Sequence, residues 1–344
     1  MKLVPLIGLV LGPLSVAADL DAFMAELSKT GLTTFSSLLP SIAKTAAGKS
    51  LINQLSTSTN FSIFAPTNEA LQGLKNTEDY EDLAKIISYH IVHGNYYHAA
   101  DQCLFAETLP NVTLARTLLN ASEYVQLENG SSQVLTWGRN ETASGKPVKI
   151  ISTARETTVQ AAYLVQGYAV FAVDQIITIP PWLSTILKNK NYYTKNTTSL
   201  FATALDNAYT DLPDGKHKSL LQYLSDNYLS GYTLFAPSTD ALSKLTSTFP
   251  EMKPDEWRDI LLNHVINGTT LYTNTFKPST ALTGQSTTFT TNSSGTYVTS
   301  GPITAKIIQA NLIAKNGVAH VIDTVLRRLP DDYDCGASKA IERC

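Results

Sequence analysis

Three histidines cluster in the string His90-Ile91-Val92-His93-Gly94-Asn95-Tyr96-Tyr97-His98. Neutral imidazoles bind zinc or copper, and a helix through this segment would bring His90 and His93 close together. His90, His93 and His98 are therefore the residues that would supply a metal site. A packing role is the stronger expectation. The second half of the chain repeats His90 as His264 but has Asn267 where His93 stands. A histidine duplicated on an apolar helix without its neighbour reads as a hydrogen-bonded interior residue. No metal and no cofactor are expected. The sequence has no Gly-x-Ser-x-Gly elbow, no His-Glu-x-x-His, no phosphate-cradling glycine loop and no Cys-x-x-Cys. No catalytic residue is expected, and the chain reads as a binding protein rather than an enzyme. Its scattered His, Asp and Ser leave an extracellular hydrolase of wall-polymer esters as one alternative, and a purely structural wall protein as another.

The surroundings of these residues point outside the cell. Lys2, the apolar stretch Leu3 to Val16 and the small residues Val16-Ala17-Ala18 predict a signal peptide over residues 1–18, cleaved after Ala18. Eight Asn-x-Ser/Thr acceptors follow, at Asn60, Asn111, Asn120, Asn129, Asn140, Asn196, Asn267 and Asn292. Three cysteines are too few for a disulfide-built scaffold. Cys335 and Cys344 are spaced to close a small loop in an oxidising compartment, which would leave Cys103 unpaired, although other pairings stay open. The net charge is −3, and no Lys/Arg block exists to neutralise a phosphate backbone, so no nucleic-acid partner is expected. No later window reads as a transmembrane span, and residues 331–344 read as a polar tail. Tyr96-Tyr97, Tyr192-Tyr193, Trp137, Trp182 and Trp257 are dispersed. Exposed rings of this kind can stack on sugars, but packing is the better expectation for any one of them.

The chain repeats itself. Ser62-Ile63-Phe64-Ala65-Pro66-Thr67-Asn68-Glu69-Ala70-Leu71 returns as Thr233-Leu234-Phe235-Ala236-Pro237-Ser238-Thr239-Asp240-Ala241-Leu242, at an offset of 171 between Phe64 and Phe235. Tyr89-His90 returns as Asn263-His264 at offset 174, and Ala172-Val173-Asp174 as Val321-Ile322-Asp323 at offset 149. Three matches in one order predict two domains, over 19–180 and 181–330. From the His match to the Asp match, the first copy is 25 residues longer. That excess predicts a glycosylatable insertion at about 111–145, on the surface, as a tolerated loop expansion or a shield.

The elements that must position these residues are α+β. Helical periodicity appears over 19–27, 80–92, 182–187, 200–209, 219–229 and 255–266, and strand-like alternation over 148–151, 163–173 and 285–298. In the repeated motif a strand ends at Pro66, Thr67 or Asn68 caps the next helix, and Glu69 places negative charge at its N-terminus.

At these residues the chain resembles the fasciclin (FAS1) family. The two Phe-Ala-Pro-x-x-x-Ala-Leu strings look like its first signature, Asn316-Gly317-Val318-Ala319-His320-Val321-Ile322-Asp323 like its second, and Tyr89-His90 like the short motif between them. The resemblance implies two FAS1-like domains, each a β-wedge flanked by helices. It also implies adhesion or association with matrix or cell wall. The implied partners are wall or matrix polysaccharide or glycoprotein, or a cell-surface protein. Tyr89, His90, His264, Asn311 and Leu312 are the binding positions that the resemblance carries over. Some animal relatives have an Asp-Ile pair where this chain has Asn311-Leu312, and the first copy has Ala162-Tyr163 nearby, so the integrin route linked to that pair is not expected. Val170-Phe171 stands where the first copy should carry the second-signature histidine. The style of the sequence is that of a fungal wall-associated protein.

Overall fold

Each half of the chain begins with helices and ends on a strand lying beside the first strand of that half's main sheet. The computed structural model describes residues 16–72, 74, 79–99, 103–106, 112–139, 147–151, 157–188, 198–211, 217–226, 228–248 and 253–327. In domain 1, α1 (Val16–Lys29), α2 (Thr33–Ile42) and α3 (Ala46–Leu55) lead into β1 (Phe61–Pro66), α4 (Asn68–Leu71) and α5 (Tyr80–Tyr89). Strands β2 (Ile91–His93), β3 (Tyr97–His98), β4 (Cys103–Leu104), β5 (Thr113–Arg116), β6 (Val134–Arg139), β7 (Val148–Ile150), β8 (Thr157–Val165) and β9 (Tyr168–Val173) complete it.

Domain 2 repeats the plan with α6 (Leu183–Lys188), α7 (Ser199–Asn207), a small hairpin β10 (Tyr209–Asp211) and β11 (His217–Ser219), and α8 (Leu220–Leu224). Then follow β12 (Tyr232–Pro237), α9 (Thr239–Thr248), α10 (Pro254–Asn263), β13 (Val265–Asn267), β14 (Ser279–Thr280), β15 (Ser286–Asn292), β16 (Gly295–Ser300), β17 (Ile303–Ala314) and β18 (Gly317–Ile322).

The two main sheets have one topology. Their orders are β2-β1-β9-β8-β7-β6-β5 and β13-β12-β18-β17-β16-β15-β14. In each, one parallel pair sits among antiparallel neighbours, β1 with β9 and β12 with β18. These strands are buried on both faces, which is why they read as near-continuous apolar runs, interrupted only by buried polar residues such as Ser62, Thr233 and His320. Their side chains sort with period two. Ile63, Ala65, Val170 and Ala172 meet the helices, and Phe64, Phe171 and Val173 fill the inside of the bent sheet. A bridge between Val92 and Thr117 draws the two ends of the domain 1 sheet together, giving the expected wedge.

The expected punctuation is present. Thr67 caps α4 by accepting from Ala70 N at 3.2 Å, and Ser238 accepts from Ala241 N at 3.1 Å. Asn68 has a different task. Its Oδ1 accepts from Thr34 N at 2.9 Å and its Nδ2 donates to Gly31 O at 3.0 Å, so it ties the start of α2 to the repeated motif.

Five expected elements need correction. The helix expected over 219–229 ends at Leu224, with Ser225 at its C-cap. The helices expected to reach Val92 and Ile266 stop at Tyr89 and Asn263, where His90 and His264 take the C-cap and β2 and β13 begin. The alternation over 163–173 is a hairpin, because Gln166 and Gly167 both adopt positive φ and reverse the chain. The run 285–298 is also a hairpin. Asn292 Oδ1 accepts from Ser294 N at 2.8 Å to make its turn. Two helices, α2 and α3, have no counterpart in the apolar periodicity of the sequence, whereas α9 is the helix that the second Phe-Ala-Pro string announces. Pro40 inside α2 masks its periodicity. Val16 to Ala18 form the first turn of α1. Residues 1–15 of the expected signal peptide, Cys335, Cys344 and the tail lie outside the described residues. Among the described residues no helix is long and apolar enough to cross a membrane.

Removing either cap tests this reading. Thr67→Ala and Ser238→Ala should each lower the stability of their own domain by about 1 kcal/mol, measured as a shift in the urea midpoint with the slope unchanged.

Candidate functional site

His90 and His264 do the same structural work in the two domains. His90 Nδ1 donates to Ile86 O at 3.0 Å and Nε2 accepts from Ile177 N at 2.9 Å. His264 Nδ1 donates to Ile260 O at 2.7 Å and Nε2 accepts from Leu326 N at 2.9 Å. Each ring thus staples the end of a helix to the segment that follows the last strand. With every ring nitrogen used and neither ring more than 1% exposed, both are neutral and of fixed tautomer. Burial pushes each pKa down to about 4.

The other residues that the resemblance marked are also interior. Tyr89 is fully buried and donates its hydroxyl to Val134 O at 3.1 Å. Asn311 and Leu312 are 2% and 3% exposed. Asn311 sits at φ 56 in an irregularity of β17, a conformation that asparagine tolerates better than most residues. Its amide grips Thr273 through both Oδ1 and Nδ2, at 3.1 and 2.8 Å, and its N–H donates to His320 Nδ1 at 3.3 Å. His320 Nε2 donates to Leu271 O at 2.9 Å, the ring lies against Phe235, and burial holds its pKa near 4. The strand register places Phe171 of domain 1 where domain 2 has His320. None of the five positions offers its side chain to solvent. Their common task is to fix the fold.

The metal candidates are separated. His90 is inside, whereas His93 on β2 and His98 on β3 are exposed, and His93 rests against the Phe61 ring at 5.2 Å. The helix expected to align His90 with His93 ends at Tyr89, and His93 lies on a strand. Among the described residues, no group of three or more His, Cys, Asp or Glu side chains is placed to hold a metal ion. Cys103 is a half-buried free thiol whose Sγ lies 3.7 Å from Arg139 Nη2. The acceptor asparagines Asn60, Asn120, Asn129, Asn267 and Asn292 are all exposed, and Asn111, Asn140 and Asn196 lie outside the described residues.

One feature carried no signal in the sequence. Residues 117–133, between β5 and β6, belong to the expected insertion, and they reach across to domain 2. Glu128 is the centre of the contact. Its Oε1 accepts from Thr270 N at 2.9 Å and its Oε2 accepts from Thr270 Oγ1 at 2.5 Å. Gly231 lies against it at φ +79, and a Cβ there would overlap the Glu128 carboxylate. Backbone bonds join Gln126 N to Lys315 O at 2.9 Å and Gly231 N to Gln126 O at 3.2 Å. The buried Gln133 donates Nε2 to Ala314 O at 3.1 Å. Val134 packs with Tyr272, Ile313 and Val318, and the Arg116 guanidinium lies over the Tyr272 ring at 5.5 Å. The insertion is therefore more than a surface expansion. One side carries Asn120 and Asn129 to solvent, and the other clasps the neighbouring domain.

These observations define a tandem module of two like wedges, each locked by an interior histidine and joined by a clasp. A family model described as the fasciclin domain matches residues 31–178 and 205–328, and the chain belongs to the fasciclin family. It is similar to the pig (Sus scrofa) protein named transforming growth factor-beta-induced protein ig-h3, with 24% identity over 278 residues. That match covers 79% of this chain but only 35% of the relative, so the chain spans about a third of the relative's length. Among solved structures it is similar to a FAS1 domain pair from the insect cell adhesion molecule fasciclin I. Identity there is 14% and the TM-score 0.39, covering 88% of this chain and 98% of that one. Fasciclin domains form a non-enzymatic family.

Two outcomes follow from the geometry. An unfolded histidine binds its proton near pH 6.5, and these rings in the folded state bind theirs only near pH 4. Stability should therefore be full above about pH 6.5 and fall as the pH drops towards 4, by on the order of 3 kcal/mol per ring. Domain 2 carries two such rings and domain 1 carries one among the described residues, so hydrogen exchange should show domain 2 opening first on acidification. Glu128→Ala should weaken the clasp and loosen the coupling between the domains. A single melting transition should split into two, and small-angle scattering should show a broader range of shapes.

Proposed function

We propose that this chain is a secreted glycoprotein that mediates adhesion, binding cell-wall or matrix polysaccharide, glycoprotein or cell-surface protein through a rigid pair of fasciclin domains. The observation that carries this reading is the fasciclin match over both halves of the chain. Three further points support it. Every acceptor asparagine among the described residues is exposed, as glycosylation in the secretory pathway needs. The histidines with strongly shifted pKa values are consumed by backbone bonds, so none is poised as a general base. The clasp holds two wedges in one orientation, which lets both engage a common surface without a further ordering cost. The wall-associated, fungal setting suggested by the style of the sequence is part of the same proposal.

Because the residues marked by resemblance are interior, a partner meets other surface, in the areas left between glycans. The purified glycosylated chain should be retained, saturably, on cells or on wall or matrix preparations, and should release no product from a panel of polysaccharide esters. Absence of retention on every such preparation would sink the adhesive reading, and sustained ester turnover would replace it with the hydrolase.

A further inference from the structure

Between α7, α9 and α10 of domain 2 lies a cavity of about 560 Å³. That volume suits a small organic molecule. Leu200, Ala204, Leu242 and Leu261 make its apolar wall, and Trp257 and Tyr209 add aromatic faces. Tyr209 is 61% exposed at the edge of this space.

The duplication shows how the cavity arises. With His90 matched to His264, Leu83-Ala84 of α5 correspond to Trp257-Arg258 of α10. Ala84 is 1% exposed, and α5 packs closely on both α2 and α3. An arginine cannot take the place of that alanine, since burying its charge unpaired is prohibitive. In domain 2 Arg258 is exposed, and α10 makes no contact of similar extent with α7 or α8. The space that α5 closes in domain 1 is left open in domain 2.

The charge of the cavity is one-sided. Among the described residues, Arg258 is the one charged residue lining it, and no carboxylate does. Glu256 on the same helix accepts from Lys253 N at 2.9 Å and stays outside the lining. Among the described residues the Arg258 guanidinium has no hydrogen-bond or ion-pair partner. Asn207, at the end of α7, adds an amide to the lining. An unpaired guanidinium beside an apolar, aromatic-walled space is complementary to a carboxylate on an apolar body.

We propose that this cavity binds a small organic anion, with its apolar or aromatic body against Leu242 and Trp257 and its carboxylate on Arg258. The proposal does not rest on the adhesive reading.

Decanoate, 3-phenylpropionate and uncharged decanol, titrated into the full chain by calorimetry with tryptophan fluorescence read in parallel, test it. One of the two acids should bind saturably at one site, and decanol about tenfold more weakly or worse. Arg258→Ala should weaken the acid about tenfold, as loss of one charge-assisted contact predicts. Ala204→Phe should fill the space and abolish binding. Arg258 is exposed, so its replacement leaves the core intact and carries the test even where Ala204→Phe fails to fold. Three results would each overturn the proposal: no saturable binding of either acid, equal binding of acid and alcohol, or an Arg258→Ala variant that binds as well as the unmodified chain.

Discussion

The parallel pairing of the first and last long strands is the constraint on which each domain depends. β1 lies beside β9 and β12 beside β18, both pairs sealed on two faces. A parallel ladder needs a long crossover, and here nearly the whole domain serves as that crossover. The helices must cover one side and the folded-over strands the other. Two separate apolar clusters per domain result, and the central strands are the wall between them. The histidine staples act at the same place. By holding the segments after β9 and β18 to the ends of α5 and α10, His90 and His264 fix where the last strand must lie.

The two copies differ where one domain needs something the other does not. Domain 2 uses His320, Asn311 and Thr273 to build a polar knot beneath its sheet, whereas domain 1 fills the matching register with Phe171. A satisfied buried network fixes one arrangement but exposes the domain to acid, and an aromatic ring packs without that liability. Domain 1 in turn spends its extra length on the clasp. The same ancestral plan thus carries a second titratable ring in the interior of one copy and a docking arm in the other.

Much of this was legible in the residues themselves. The repeated Phe-Ala-Pro strings marked strand, cap and helix because each residue there has one physical job, and Thr67 and Ser238 perform it. The duplicated histidine marked an interior position because a ligand set would have repeated its second member. Helix ends were misplaced by three residues because apolar periodicity runs on from α5 into β2 and does not register a cap. The marked binding positions Tyr89 and Asn311 proved interior, since a motif shows that a residue matters without showing which way it faces. Glu128 and Gly231 could not be read at all. Their meeting depends on how two domains sit together, and neither spacing nor composition encodes that.

The geometry of the central pair also decides how a domain meets mechanical load. In a parallel pair, the start of β1 and the end of β9 lie at opposite ends of the ladder. Tension that draws those two points apart runs along the strands and strains the rungs together rather than one by one. An antiparallel hairpin pulled from its open end unzips at low force, whereas a ladder sheared lengthwise must give way as a whole. A fasciclin wedge is therefore strongest along its own direction of pull, and the same holds for β12 and β18 in the second copy.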